Sequence, residues 1–158
     1  MNRKTFACTI MLVLLGTPVL AQTARQQEVR ARSMHVMPFS MDTTMHVFKT
    51  TSTGGAMTVR VHDGDAQQVA LVRSHLRKEA AAFARGDYSD PMTIHGTAMP
   101  GIDGLRKAGG RIAISYAEIP SGARITFISA DAQVVAALHR WFAAQVSDHG
   151  HDAMMRRM

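Results

Sequence analysis

Two pairs of segments with alternating apolar and polar residues organise the chain. The segments HVFKT and AMTVRVH flank Gly54-Gly55, and the segments RIAISYA and ARITFIS flank Pro120-Ser121-Gly122. Alternation on both sides of a turn that contains glycine is typical of a β-hairpin. The pattern therefore predicts two hairpins, one in each half of the chain.

A helical pattern follows each hairpin. Asp65 and Asp131 stand at the expected helix starts, where a carboxylate accepts hydrogen bonds from the free amides of the first turn. Apolar residues then recur every three or four positions, as they do along the buried face of a helix. In the first segment they are Val69, Val72, Leu76, Ala80 and Phe83; in the second they are Val135, Leu138, Phe142 and Val146, and His149 takes the next place.

The two halves also repeat one another in sequence at an offset of 66 residues. The segment DAQQVA at 65–70 falls on DAQVVA at 131–136, with five of six positions identical. We therefore predict an α+β fold built from duplicated units, ββα-ββα, with a four-stranded antiparallel sheet and two helices on one face. The alternative is that two ββα units are exchanged between the chains of a homodimer.

The first residues have the features of a secretory signal peptide. Arg3 and Lys4 precede an apolar run that is too short to span a bilayer, and Val19-Leu20-Ala21 offers small residues for cleavage after Ala21. The sequence therefore predicts a signal peptide at 1–21 and a periplasmic or secreted protein that keeps no stable membrane anchor after cleavage.

The remaining segments differ in composition. A Met/His-rich N-terminal segment is expected at 22–45, and its methionine-rich stretch from Met34 to Met45 is expected to be extended because Pro38 and Thr43-Thr44 interrupt a helical pattern. A single ββα-ββα domain is expected at 46–151. Its long loop, 85–110, has glycines and prolines but also apolar residues that should pack down, with the open face of the sheet as one candidate. The last residues, 152–158, are expected to form a flexible tail.

Composition excludes several classes of function. The single cysteine, Cys8, lies in the predicted signal peptide, so disulfides and thiolate sites are not expected. The formal net charge is +6, but the arginines are scattered and no aromatic platform accompanies them, which argues against nucleic-acid binding. No Gly-x-Ser-x-Gly, His-Glu-x-x-His or phosphate-binding glycine loop occurs, so the sequence leans against an enzyme without deciding the question.

Histidine and methionine are the candidate chemistry. All eight histidines and all but two of the twelve methionines lie after residue 21, and imidazole and thioether are ligands that suit copper. The repeat directs several histidines toward one core, and a glycine-rich loop can fold two ligands together. The candidate metal ligands are His46, His95, Met99, His139, His149 and His151. The alternative is that these histidines are satisfied core or surface residues and that the methionines fill gaps in the core.

Four strings resemble a known group of proteins. They are MPF at 37–39, TMHVF at 44–48, IHGTAMPG at 94–101 and LHRWFAAQVSDHGHDA at 138–153. Together they resemble an uncharacterised family of small exported proteobacterial proteins whose members often carry the label aspartate carbamoyltransferase. The resemblance implies export. The Ser-x-Arg-Thr-Arg loop with which transcarbamoylases bind carbamoyl phosphate does not occur in this chain.

These observations favour one function and leave two alternatives. The favoured function is an exported, non-catalytic protein that binds a metal ion, copper first, for storage, delivery or tolerance. The first alternative is a periplasmic protein-interaction module that docks a protein partner and binds no metal. The second is the transferase activity that the family label implies.

Overall fold

The computed structural model describes residues 22–156, and within them the chain has an α+β fold, as predicted. The elements follow the order α1 (Ala24–Val36), β1 (Thr44–Thr51), β2 (Gly54–Val61), α2 (Ala66–Ala84), α3 (Ser89–His95), α4 (Ile102–Arg106), β3 (Ala113–Ile119), β4 (Gly122–Ile128), α5 (Ala132–His149) and β5 (Ala153–Arg156). Short 3-10 helices cover Met41–Thr43, Gly109–Arg111 and Gly150–Asp152.

The sheet has five strands in the order β3-β4-β2-β1-β5 and is mixed. Strands β1 to β4 pair antiparallel, whereas β5 lies parallel to β1, with Ala153 beside His46. The predicted four-stranded antiparallel sheet is therefore wrong in the number of strands and in the orientation of the added strand, β5. After α5 the chain turns at Gly150, and β5 then supplies partners for the outer edge of β1. The predicted flexible tail is consequently a strand as far as Arg156.

The order strand, strand, helix does occur twice, and α2 and α5 begin 66 positions apart. Both helices are capped as predicted: Asp65 accepts from the amides of Gln67 and Gln68, and Asp131 accepts from those of Gln133 and Val134. Helices α1, α3 and α4 and strand β5 lie outside these two units, so the ββα-ββα scheme does not match the fold in full.

The core lies between the sheet and helices α2 and α5. Alternate residues of the strands point to the helices, and burying each large apolar side chain there stabilises the fold by about 1.5–3 kcal/mol. The most deeply buried residues include Phe48, Val59, Ile125 and Phe127 from the sheet, and Leu76, Leu138, Trp141 and Phe142 from the helices. The opposite face of the sheet has no helix packed on it in the described chain.

The segment 85–110 forms α3 and α4, which pack on α1 and α5 and not on the open sheet face. Gly101 explains this placement. It has a φ of +85°, and a Cβ atom there would lie 2.1 Å from the carbonyl oxygen of Ala137, so only glycine lets the segment approach α5 this closely. The long loop thus packs on helices and not on the sheet.

The stretch expected to be extended leaves helical backbone at Met37, but its first residues belong to a helix, Ala24–Val36, that the sequence prediction missed. Thr23 and Gln26 form a capping box at its start, and the helix ends before Pro38, where the ring of a proline disfavours helical backbone in the preceding residue. Proline therefore marks the end of this helix and did not prevent it.

The predicted signal peptide, 1–21, lies outside the described residues. Among the helices that the structure describes, none combines the length and the apolar character needed to cross a membrane.

Candidate metal centre

Four histidines from four different elements line one cavity of about 40 Å³. His46 comes from β1, His75 from α2, His95 from the last residue of α3 and His149 from the last residue of α5. His46, His95 and His149 are each 4% exposed, and His75 is half-buried. The cavity is roomy enough for a bound ion or a few water molecules.

His149 lies at the centre of the histidine group. Its ring stacks on that of His46, with 5.1 Å between centroids and 6° between planes. The ring of His95 meets it edge to face, with 4.9 Å between centroids and an angle of 79°. These three imidazoles therefore form one continuous cluster, although His46 and His149 are about a hundred positions apart in the chain.

Two ring nitrogens in this cluster have no hydrogen-bond partner in the described protein. They are Nδ1 of His46 and Nε2 of His149, and both are inaccessible to solvent. A buried polar atom without a partner costs about 1–3 kcal/mol, so natural folds rarely keep two side by side. An imidazole nitrogen in this situation is suited to hold a ligand.

A second group of donors faces the same cavity. His75 and Glu79 lie one turn apart on α2, and Asp90 lies in the first turn of α3. One ligand atom from each lies within 4.8 Å of the other two. Lys78 binds the outer side of Asp90, with 3.0 Å between Nζ and Oδ2. The three side chains thus place one imidazole and two carboxyl groups around one point.

Burial controls the protonation of the two carboxyl groups. Burial and, second to it, the neighbouring carboxylate of Asp90 together raise the pKa of Glu79 to about 8. Burial also acts to raise the pKa of Asp90, but hydrogen bonds from Lys78 and Glu79 outweigh it and lower that pKa. In the metal-free protein at neutral pH, the Glu79 carboxyl therefore keeps its proton while Asp90 is ionised.

Burial keeps the histidines neutral. It lowers the pKa of His46 to about 4 and that of His75 to about 4, and it lowers the pKa of His149 far below the usual range. It also lowers the pKa of His95, although Asp148 opposes the change. Neutral imidazole is the form that ligates metal ions, so these side chains need lose no proton to bind one.

One histidine is oriented from outside the cavity. Nδ1 of His95 lies 2.9 Å from Oδ2 of Asp148, and Arg25 of α1 holds the same carboxylate, with 2.7 Å from Nη2 to Oδ2. Because Nδ1 of His95 donates to Asp148, Nε2 carries the lone pair. A carboxylate behind a histidine in this way is the usual outer support of a metal-ligating imidazole.

The chain was compared with known protein families, with curated proteins and with solved structures. No protein family, no curated protein and no solved structure matches it significantly. The resemblance to the exported proteobacterial family therefore stays a prediction, and the chemistry of the cavity has to be argued from its own residues.

The cavity collects half of the histidine and methionine ligands that the sequence predicted. His46, His95 and His149 line it together. His139 instead bonds the carbonyl oxygen of Gly54, with 2.8 Å between Nε2 and the oxygen, because it borders the core stripe of α5 and faces the hairpin.

The other two predicted ligands also lie elsewhere. His151 is on the surface, where it contacts Asp152 and Gln22. Met99 is buried between α3 and α4 and lines a separate cleft on the far side of His95. Asp148, which directly precedes His149 in the chain, supports the ring of His95.

The four methionines of the N-terminal segment do not form one site. Met34 is 66% exposed on α1, Met41 is buried in the core, and Met45 lies on the open face of the sheet. Met37 lines the cavity, and so does Met57 from β2. The N-terminal segment therefore contributes one thioether to the cavity, and the sheet contributes another.

The sequence prediction missed His75, Glu79 and Asp90. The sequence contained an indication of His75. The offset of 66 residues pairs His75 with Trp141, as it pairs His149 with Phe83. A histidine that takes the place of a fully buried aromatic residue is a candidate for function. Glu79, one turn further along α2, shares its face. No pattern in the neighbouring sequence indicates Asp90 as a ligand.

Proposed function

We propose that this protein is an exported, non-catalytic protein that binds a transition metal ion in the cavity between α2, α3, α5 and β1. The observation that carries the proposal is the convergence of four neutral imidazoles and two carboxylates on one buried cavity. The unpartnered ring nitrogens of His46 and His149 support the proposal, because a bound ion would supply the partner that each of them lacks.

The donor atoms favour copper, with zinc as the next candidate. Imidazole and carboxylate donors bind Cu²⁺ more tightly than other divalent ions of the first transition series. The thioethers of Met37 and Met57 in the same lining would suit Cu⁺. An ion that can be held in either oxidation state by one cavity fits storage, delivery or tolerance.

The group His75, Glu79 and Asp90 is the first ligand set. Their donor atoms lie within 4.8 Å of one another, whereas tetrahedral ligands about 2.0 Å from an ion are about 3.3 Å apart. Binding would therefore draw the three side chains together by at most about 1.5 Å and displace the proton of Glu79. His149 and His46 lie deeper and would complete the coordination.

The transferase activity implied by the family label has no support in this cavity. A carbamoyl phosphate site needs cationic groups for the phosphate, and among the described residues no lysine or arginine lines the cavity.

Export, in contrast, fits both the features of residues 1–21 and the resemblance to the exported family. We infer that the duplicated unit places His46 and His149 on the buried faces of a strand and a helix.

Thermal unfolding with and without metal tests the proposal. The purified metal-free protein is titrated with Cu²⁺, Zn²⁺ and Cu⁺, and a ligand at about one hundred times its Kd stabilises the folded form by about 2.7 kcal/mol. We expect a rise in Tm with copper that H75A and E79Q reduce strongly. The matched controls are H35A and H62A, which remove exposed histidines that do not line the cavity.

Two outcomes would sink the proposal. One is an unchanged Tm of the wild-type protein at saturating metal. The other is an equal loss of the metal effect in the cavity variants and in the exposed controls, because surface imidazoles would then account for binding. Metal content of the protein isolated from its own cells identifies the ion.

A further inference from the structure

The open face of the sheet carries positive charge and no negative charge. Its charged positions are Lys49 on β1, Arg60 on β2, Arg124 on β4 and Arg156 on β5. Within the chain that the structure describes, none of the residues lining this face is acidic, and none of these four cations takes part in an ion pair. Elsewhere arginines are commonly paired with carboxylates, as Arg25 and Arg30 are.

The register of the strands defines how these charges are arranged. Lys49 and Arg156 are neighbours across the β1–β5 pair, and Met45 is opposite Arg60. Four residues along β1 span about 13 Å, so the Lys49 and Arg60 ends of the face are separated by roughly that distance along the strands. Arg124 lies opposite Thr58 on β4, which is the neighbour of the edge strand β3.

An apolar strip lies between the cations. Met154, Val47 and Thr58 form one row across β5, β1 and β2, and Met45 continues it along β1. Met154 is 38% exposed, although large apolar side chains are usually covered. The face is also concave and encloses about 1110 Å³. It therefore offers an apolar floor with cations around its rim.

We propose that this face docks an acidic, amphipathic segment of a partner protein. Apolar side chains of the segment would lie on Met45, Val47 and Met154, and its carboxylates would reach the four cations. A second copy of this chain is a poor occupant, because a two-fold contact would bring the same cations against each other. An anionic membrane is flat, whereas this face is concave.

The test uses the whole protein and a defined probe. The probe is a helical peptide with one face of leucine and one of glutamate, and its control is a peptide of the same composition in scrambled order. The test variant is K49E/R124E. The matched control is K107E/R140E, which makes the same change of net charge at exposed positions outside the face. Neither Lys107 nor Arg140 has an ion pair among residues 22–156.

We expect the wild-type protein to bind the amphipathic peptide, with a Kd that rises with salt. K49E/R124E should raise the Kd at least about tenfold, whereas K107E/R140E should change it less than about twofold. Unfolding curves of both variants check that they are folded. Nuclear magnetic resonance shifts on adding peptide should fall on β1, β2, β4 and β5.

Other results would overturn the proposal. Equal weakening by the two double variants, or equal binding of the scrambled peptide, would show that net charge alone is responsible. Binding of phosphatidylglycerol vesicles through Lys49 and Arg124 without peptide binding would assign the face to membranes. Self-association that K49E/R124E abolishes, again without peptide binding, would assign it to a second copy.

Discussion

The imidazole rings of His46 and His149 lie parallel, 5.1 Å apart between centroids. Burial lowers the pKa of both rings, so both are neutral at physiological pH and can stack without repulsion. Each nevertheless keeps a buried nitrogen without a partner. The residue that corresponds to His149 in the first repeat is Phe83, which is buried and has no polar atom that needs a hydrogen-bond partner. The histidine at that position thus costs stability that phenylalanine would not.

The first prediction concerns this cost. H149F should stabilise the metal-free protein by about 1 kcal/mol, because it removes a buried unpartnered nitrogen from the core. It should also abolish most of the stabilisation by copper. H139F is the contrasting variant: it breaks the bond to Gly54 and should destabilise by about 1 kcal/mol while metal binding stays unchanged. Urea unfolding with and without metal measures both effects, and a destabilised H149F would contradict the argument.

The second prediction concerns the support of His95. D148N should weaken metal binding about 10- to 100-fold, because the amide no longer fixes the proton on Nδ1 and the ring orientation as a carboxylate does. ¹⁵N resonance of the ring should show Nδ1 protonated in the wild type and a mixture of tautomers in the variant. D103N, which alters an exposed carboxylate, should behave as the wild type. An unchanged tautomer in D148N would exclude this role.

The third prediction is the pH dependence of stability. The pKa of His46 and that of His75 are about 4 in the folded protein, below 6.5 for a free histidine, so the unfolded chain binds more protons below pH 6.5. Their contribution to stability is present above pH 6.5 and is lost as the pH falls toward 4. The metal-free protein should therefore be less stable at pH 5 than at pH 6.5.

Glu79 makes the stability change with pH in the opposite direction. Its pKa of about 8 in the folded protein exceeds the usual 4.5, so its contribution is present below pH 4.5 and is lost as the pH rises through 8. Stability should accordingly fall between pH 6.5 and 9, and E79Q should remove this fall and leave the loss at acid pH. Denaturant unfolding across this range checks it. A wild-type protein whose stability stays level up to pH 9 would contradict the burial of this carboxyl.

The fourth prediction separates backbone strain from steric overlap. Gly96 and Gly101 both have a φ of +85°, but a Cβ atom at Gly96 would meet nothing within 4 Å, whereas one at Gly101 would meet Ala137. G96A should destabilise by about 1–3 kcal/mol from backbone strain alone, because a ψ of 164° places Gly96 in a region that only glycine adopts readily. G101A should cost more than G96A, because its Cβ atom would overlap the backbone of α5. Equal effects in equilibrium unfolding would mean that the contact of Gly101 with α5 is not required.

Local patterns predicted the elements that depend on nearby residues. The caps at Asp65 and Asp131 are confirmed because a carboxylate reaches amides only two or three positions away. The predictions failed where distant packing decides. Strand β5 forms because the edge of β1 is free beside it, α3 packs on α1, and α4 packs on α5. Neither partner can be recognised from the segment itself.

The sequence by itself determined the α+β class, the two hairpins, the two long helices and the histidine-rich composition, because periodicity and capping act within a few residues. Only the tertiary structure decided which side chains meet. His46, His75, His95 and His149 come from four elements, and a rotation of any one by a single residue would turn its imidazole away from the cavity. The same packing turned His139 toward Gly54 and left four cations together on the uncovered face.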